Sequence, residues 1–162
     1  YESLKNSLPT KKIFRAMPNV GAKDNLGITA IFSDTDNTEV LEIFKFLGEA
    51  YEVENEDQVD LHTVLIGSGP AFFYELLSEF EKRLDALVQE KDIKRLISIV
   101  FLSSLITSIK NGESLEDLIE SVASKGGTTE AGLNYLYKEK FNEIFSGAVD
   151  AGVKRAKELS MD

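Results

Sequence analysis

The segment from Ile93 to Ile109 constrains the fold of this chain more than any other stretch. Its apolar residues cover most of a helix circumference instead of one stripe, and a helix that is apolar all round must be enclosed on all sides. A chain of 162 residues offers few ways to surround it, so we predict a homodimer, with higher homo-oligomers allowed. The apolar positions are Ile93, Leu96, Ile97, Ile99, Val100, Phe101, Leu102, Leu105, Ile106 and Ile109.

Composition excludes several classes of function. Eighteen basic against 28 acidic side chains give a net charge of −10, which argues against a nucleic-acid partner. The chain has no cysteine and a single histidine, His62, so neither a disulfide framework nor a metal site is predicted. No run reaches the roughly 20 apolar residues that cross a bilayer, and no leader is recognised. We therefore expect a cytoplasmic protein with no membrane partner.

The first part of the chain, residues 1–55, has the pattern of a small α/β unit. Short β-branched and aromatic runs at residues 12–16, 28–32 and 51–53 are typical of strands. Between the last two, apolar residues at helical spacing predict a helix after Asp36-Asn37-Thr38 that stops at Gly48. Three short strands cannot form a complete sheet domain, so we expect the remnant of a Rossmann-type dinucleotide-binding domain.

The opening strand and glycine-rich loop of such a domain are not in this sequence. No Gly-x-Gly-x-x-Gly follows a strand, and the chain begins at Tyr1 without a methionine. We expect a fragment that arises by proteolysis or deliberate truncation; a natural short form is the alternative.

Residues 56–162 are predicted to form a second, all-helical domain. An apolar stripe that includes Phe72, Phe73, Leu76, Leu77 and Phe80 follows Pro70, which is tolerated in the first turn of a helix. We expect Gly67-Ser68-Gly69-Pro70 to break one helix and start this one, although a simple kink also fits. Asn111-Gly112 is predicted to end the apolar helix, and Ser114 to cap the next with Asp117.

A glycine pair, Gly126-Gly127, precedes Thr128 and Thr129 at the start of a helix. The first amides of a helix have no intrahelical partner and carry the positive end of its dipole. Glycines that expose them can create a site for a small anion, to which the two hydroxyls add donors. The alternative is an ordinary turn with Ser124 or a threonine as N-cap.

Two further motifs accompany this turn: Arg15-Ala16-Met17-Pro18-Asn19 and Gly67-Ser68-Gly69-Pro70-Ala71-Phe72. In this order and spacing, the three motifs resemble those of the pyrroline-5-carboxylate reductases. The resemblance implies a mainly α fold: a helical dimerisation domain of the 6-phosphogluconate-dehydrogenase-like type, preceded by the last strands and a helix of a Rossmann-type domain. It also implies proline biosynthesis by hydride transfer from NADPH or NADH to the C=N bond of a cyclic imine.

The resemblance also implies roles for individual residues. Gly126, Gly127, Thr128 and Thr129 would bind the substrate carboxylate, with Ser68 nearby. Thr63 would lie close to the substrate ring as the catalytic residue, with its hydroxyl bonded to the ring nitrogen or to the nicotinamide amide; a threonine bonded to its own preceding turn is the alternative. Met17, Pro18 and Asn19, where a strand gives way to a loop, and Ser124 would contact the cofactor. A proline-directed turn with an asparagine cap is the alternative for the first three.

Three positions depart from the family pattern. Lys125 stands where proline is usual, Ile66 where serine is usual, and Val20-Gly21 where threonine-proline is usual. Because each adjoins a proposed site, the substrate can be another cyclic imine or imino acid. The alternative to an enzyme is a helical dimerisation or metabolite-sensing module that kept the anion site and lost hydride transfer.

Overall fold

The computed structural model describes residues 1–10, 12–88 and 92–160. The chain is mostly helical with one three-stranded sheet near its start, which confirms the predicted mainly α fold with preceding strands. The strands are β1 (Arg15–Pro18), β2 (Gly27–Phe32) and β3 (Gly48–Glu52). The helices are α1 (Glu2–Ser7), α2 (Thr38–Lys45), α3 (Glu56–His62), α4 (Gly69–Val88), α5 (Ile93–Asn111), α6 (Leu115–Val122), α7 (Thr128–Lys138) and α8 (Phe141–Ser160).

The sheet has the order β1-β2-β3, with β1 antiparallel and β3 parallel to the central strand. Ala30 and Ile31 of β2 are completely buried, because a central strand loses solvent on both faces. α2 makes the crossover that two parallel strands require. A hydrophobic cluster of Ala30, Val53, Val59 and Ile66 joins the sheet to the helices that follow.

The predicted strand at residues 12–16 is displaced towards the carboxyl end. β1 runs from Arg15 to Pro18, and Arg15 pairs with Phe32, the last residue of β2. Residues 12–14 extend beyond the end of the partner strand, so they have no ladder to join. Nevertheless Ile13 is buried, and its carbonyl accepts a hydrogen bond from the Ser33 hydroxyl at 2.9 Å.

The predicted helix break at Gly67-Ser68-Gly69-Pro70 is wrong. A π-helical segment from Thr63 to Ser68 joins α3 to α4, and Gly69 has helical angles (φ −50°, ψ −44°). Pro70 has no N–H to donate to the Ile66 carbonyl four residues earlier, and π-helical segments occur within α-helices as local bulges. Val64 and Ile66 of this segment are buried, so packing keeps the backbone helical where the local residues favour a turn.

The described chain divides into two compact units, with the boundaries inside α4 and α8. One unit comprises residues 1–73 and 148–162, and the other residues 74–147. α3 and the π-helical segment belong with the sheet because Val59 and Ile66 lie in its core cluster. The domain boundary between residues 55 and 56 stays a prediction, and residues 161 and 162 of the predicted second domain lie outside the described residues.

In the second unit, the predicted end of α5 and the predicted cap at the start of α6 are confirmed. Gly112 has a left-handed backbone (φ +65°) directly after α5, and the Ser114 hydroxyl accepts from the Asp117 amide at 3.1 Å. The rings of Phe80 and Phe101 pack edge to face, 5.3 Å apart. None of the described helices combines the length and the apolar character that crossing a membrane requires.

Candidate functional site

The end of β1 presents Pro18 to solvent and turns the chain at Asn19. The side-chain oxygen of Asn19 accepts from the Ile28 amide at 3.1 Å, which fixes the side chain across the turn. Asn19 stands at the N-cap position of the short 3₁₀ helix Val20–Asp24 but forms no side-chain cap bond. Met17, one residue before Pro18, packs against the hydrophobic core cluster.

Thr63 begins the π-helical segment and is half-buried. Its hydroxyl donates to the Val59 carbonyl at 3.0 Å, so the arrangement of a threonine bonded to its own preceding turn is present. A hydroxyl has one proton but two acceptor lone pairs. With the proton committed to Val59, the Thr63 oxygen remains an acceptor for an N–H group.

Gly67 brings the end of β1 close to Thr63. A Cβ built on Gly67 would lie 2.7 Å from the Met17 methyl carbon and 3.7 Å from the Thr63 Cγ2 atom. The absence of a side chain at Gly67 therefore makes room for Met17 directly beside Thr63. Ser68 is half-buried, and Ile66 is almost completely buried in the core cluster, so this departure from the family pattern contributes to packing.

His62, the residue before Thr63, is held by a backbone contact and by the ring of Tyr51. The His62 Nδ1 atom is 2.6 Å from the Gln58 carbonyl oxygen, an arrangement that requires a proton on Nδ1. The ring of His62 packs edge to face on Tyr51 at 5.6 Å. Burial raises the pKa of the Tyr51 phenol, so this side chain is a neutral neighbour at physiological pH.

The glycine turn before α7 is held by its own backbone. Gly126 has a left-handed φ of +74°, and the Gly127 amide donates to the Ser124 carbonyl at 2.9 Å. A Cβ on Gly127 would lie 2.5 Å from the Ser124 hydroxyl oxygen and 2.9 Å from its carbonyl oxygen. Glycine is therefore required at both positions for different reasons: backbone angle at the first and space at the second.

The first amides of α7 are available to a ligand. Gly127 is the N-cap, no side chain caps the helix, and the first bond of its ladder runs from the Ala131 amide to the Gly127 carbonyl. The predicted alternative of Ser124 or a threonine as N-cap is therefore wrong. In the part of the chain that the structure describes, the amides of Thr128 and Thr129 have no hydrogen-bond acceptor.

Sequence reasoning missed the contribution of Glu130 to this turn. Its Oε2 atom accepts from the Gly126 amide at 2.7 Å. The spacing of Glu130, three residues after the N-cap, is that of a capping box and was the signal to look for. The contact demonstrates that a carboxylate oxygen fits an amide of this turn.

Sequence reasoning also missed the acidic partners of Arg15. This residue, on β1, forms ion pairs with Glu56 at 2.8 Å and with Asp60 at 2.5 Å. The spacing of Glu56 and Asp60, four residues apart on α3, was the available signal. Within residues 1–10, 12–88 and 92–160, no three histidine or acidic side chains are grouped as metal ligands.

The candidate residues thus form two groups, one in each compact unit. Met17, Pro18, Asn19, Thr63 and Ser68 belong to the unit that contains the sheet, where Met17 and Thr63 adjoin Gly67. The other group, Ser124 and residues 126–129, forms a single turn in the second unit.

Known proteins resemble this chain over most of its length. Residues 56–159 match the family model described as pyrroline-5-carboxylate reductase dimerisation. Pyrroline-5-carboxylate reductase of Staphylococcus haemolyticus is 34% identical over 154 residues, covering 91% of this chain and 56% of the relative. Pyrroline-5-carboxylate reductase 1 of Bacillus subtilis is 34% identical over 167 residues, covering 99% and 55%. The chain spans about half the length of these curated relatives.

Solved structures give the same result for the fold. A pyrroline-5-carboxylate reductase from Coxiella burnetii superposes with a TM-score of 0.85 at 29% identity, over 96% of this chain and 60% of that one. Plasmodium falciparum pyrroline carboxylate reductase with NADP bound has a TM-score of 0.89 at 24% identity, over 97% and 66%. The sequence and structure comparisons agree: the chain belongs to the pyrroline-5-carboxylate reductase family.

Proposed function

We propose that the complete gene product reduces the C=N bond of 1-pyrroline-5-carboxylate to give L-proline, with NADPH or NADH as hydride donor. Membership of the family supports this reaction. The observation that carries it is the start of α7, where the amides of Thr128 and Thr129 have no hydrogen-bond acceptor among the described residues and suit a carboxylate. Residues beyond this chain would hold most of the cofactor, because no glycine-rich pyrophosphate loop occurs in it.

The carboxylate of the imine would bind at the start of α7. The amides of Thr128 and Thr129 lack partners in the described chain, and the positive end of the helix dipole favours an anion there. The hydroxyl of Thr129, half-buried beside them, is available as a third donor. Lys125 is exposed directly before the glycine pair, and its ammonium group adds attraction for the same anion.

Thr63 would contact the ring nitrogen. The substrate can arrive protonated, so its iminium N–H seeks an acceptor, and the Thr63 oxygen offers lone pairs while its proton is held by Val59. This contact would orient the ring instead of supplying the proton. Because orientation accounts for much of the rate of a reaction between two bound partners, the role is consistent with the bond that Thr63 makes.

The nicotinamide would lie at the end of β1. The side-chain oxygen of Asn19 accepts from the Ile28 amide. Its side-chain NH2 group, which has no acceptor among the described residues, would donate to a cofactor carbonyl, and Pro18 exposes an apolar surface beside it. The cofactor supplies the hydride when bound. NADP in the Plasmodium falciparum relative supports a cofactor of this class.

The protein would form a homodimer in which a second copy buries α5. Apolar side chains of α5 remain exposed in the single chain, with 60% of Val100, 59% of Leu102 and 82% of Ile109 accessible. The matched family region is itself described as a dimerisation region. A second copy would therefore cover α5.

Thr129→Ala in the complete gene product tests the proposed carboxylate site. The variant loses one hydrogen bond to a charged group, worth about 1.5–3 kcal/mol, so the KM for the imine rises roughly tenfold or more while the KM for the cofactor changes little. The measurement is initial-rate kinetics with each substrate varied in turn.

Ser121→Ala is the matched control, because the Ser121 hydroxyl is exposed and bonded only to the Leu118 carbonyl of its own helix. Its constants should equal those of the wild type. An unchanged imine KM in Thr129→Ala contradicts the carboxylate site. Binding of the imine with no turnover by the wild type favours the metabolite-sensing module.

A further inference from the structure

We infer that Arg15 is a positioning residue: its ion pairs with Glu56 and Asp60, here called the clamp, hold β1 against α3. The clamp keeps a fixed distance between Thr63 and the end of β1 at Pro18, where the nicotinamide is proposed to lie. The inference rests on the proposed function for its kinetic consequence. All the residues involved belong to the compact unit that contains the sheet.

The guanidinium of Arg15 holds two successive turns of α3. One nitrogen contacts Glu56 at 2.8 Å and the other contacts Asp60 at 2.5 Å, so the guanidinium pairs with both carboxylates at the same time. The Asp60 side chain is only 9% exposed and that of Arg15 is 32% exposed, so salt screens this partly buried pair less than a pair at the surface. A planar guanidinium makes such a two-pronged contact, whereas an ammonium group acts as a single point charge.

A second contact lies two residues further along the strand. Met17 points to the same face of β1 as Arg15, because side chains alternate along a strand. Its methyl group occupies the space that Gly67 leaves open. β1 is therefore attached to the continuous helix at two places, Arg15 on α3 and Met17 on the π-helical segment.

Along the chain, Thr63 lies between Asp60, which Arg15 contacts, and Gly67, which Met17 contacts. It follows Asp60 by three residues, which is one helical turn, and its methyl carbon adjoins the same side of Gly67 as Met17. Its hydroxyl is fixed on the Val59 carbonyl. A shift of α3 against β1 would therefore move the Thr63 oxygen relative to Pro18 and Asn19, where the nicotinamide is proposed to lie.

The clamp matters for rate because hydride transfer depends on the separation of the two reacting atoms. A misplacement of about 1 Å can cost roughly 100-fold in rate. The inference distinguishes this effect from simple stability: a loose clamp slows each folded molecule, whereas a folding defect lowers the number of active molecules.

The test is a single-turnover experiment on the complete gene product, with pyrroline-5-carboxylate and NAD(P)H at saturation. We expect Arg15→Lys, which keeps the charge and loses the fork, to reduce the rate constant for hydride transfer about tenfold while the amplitude stays near the wild-type value. Asp60→Asn should act in the same direction. Reduced amplitude with an unchanged rate constant would show a purely structural role and overturn the inference.

Arg155→Lys is the matched control. Arg155 lies in the same compact unit, and it pairs with Glu158 at 3.0 Å at an exposed position. The same substitution there should leave both the rate constant and the amplitude unchanged. An equal loss of rate in Arg155→Lys would also contradict the inference.

A second measurement separates the clamp from the proposed reaction. With methyl-labelled methionine and threonine, nuclear Overhauser contact between the Met17 and Thr63 methyl groups should be present in the wild type and weakened in Arg15→Lys. An unchanged contact overturns the clamp even in an active enzyme. A wild type without imine reduction contradicts the proposed function, and the methyl contact then decides the clamp alone.

Discussion

Thr63 illustrates how one hydrogen bond decides what a side chain can offer a ligand. Its proton is donated to Val59, so the hydroxyl acts towards a substrate as an acceptor. A proton-donating role would require this bond to break, at a net cost of about 1 kcal/mol or more. The structure therefore favours a role in orienting the iminium over a role in proton transfer.

Replacing the Thr63 hydroxyl tests this role. Thr63→Val keeps the shape of the side chain and removes the oxygen, so we expect kcat/KM for the imine to fall roughly 10- to 100-fold, as for a lost hydrogen bond to a charged group. Thr63→Ser keeps the oxygen and should retain most of the activity. Equal kinetics of the valine variant and the wild type would exclude a contact between this oxygen and the substrate.

At the glycine turn, the sequence predicted the position of an anion site, but it did not predict that the Gly126 amide donates to Glu130 and the Gly127 amide to the Ser124 carbonyl. Gly126, with its left-handed backbone, and the exposed Thr128 are where the pattern predicted an anion site; the site itself stays a prediction. Glu130 was missed because its side chain reaches back to the Gly126 amide, a choice of rotamer that residue order does not reveal. The Arg15 fork was missed for a related reason, since its partners lie more than 40 positions away.

At the scale of elements, α8 packs directly on the π-helical segment. A Cβ on Gly152 would lie 3.1 Å from the Val64 Cγ1 atom, and Val64 is itself buried. The contact belongs wholly to the unit that contains the sheet. It explains why a small residue occurs on this face of α8.

Enlarging Gly152 should therefore destabilise the protein. We expect Gly152→Leu to lower the free energy of unfolding by about 1–3 kcal/mol through overpacking, as measured by denaturant titration. Gly147→Leu is the matched control on the same helix, because no atom of the described residues lies within 4 Å of a Cβ there. An equal loss of unfolding free energy in both variants would contradict overpacking between α8 and Val64 as the cause.

The elements themselves show where local sequence suffices and where it does not. β2 lies where it was predicted, because its apolar residues match the faces that a central strand buries. α2 begins after Asn37 as predicted but ends at Lys45. Gly48, the predicted stop of that helix, is the first residue of β3, which runs to Glu52 instead of covering residues 51–53.

β1 was displaced because the end of its partner at Phe32, not its own composition, limits pairing. The helix through Pro70 was missed because turn residues are a local signal, whereas Ile66 is buried in the cluster that includes the sheet and Val64 is buried beside Gly152 of α8.

At the scale of the whole molecule, α5 exposes a large apolar surface in the single chain. Burial of apolar surface contributes about 25 cal/mol per Å², so burial of these side chains against a second copy would stabilise a dimer. The sequence predicted a homodimer from the same segment, Ile93 to Ile109. That a second copy buries α5 is still a proposal for this chain.

Ile109→Asp should weaken the dimer of the complete gene product. The variant places a charge on a side chain that is 82% exposed in the single chain and that is proposed to be buried by the partner, where an unpaired charge is costly. Sedimentation velocity should show a shift towards monomer. Leu26→Asp is the matched control, because Leu26 is equally exposed at 82% and lies in the other compact unit; dissociation by both variants, or by neither, contradicts the proposed interface.

The central claim is that the amides at the start of α7 bind the carboxylate of a cyclic imino acid. A crystal structure of the complete gene product with the oxidised cofactor and L-proline tests it most directly. We predict carboxylate oxygens about 3 Å from the amide nitrogens of Thr128 and Thr129. A carboxylate bound elsewhere, or amides covered by protein in that complex, would contradict the claim.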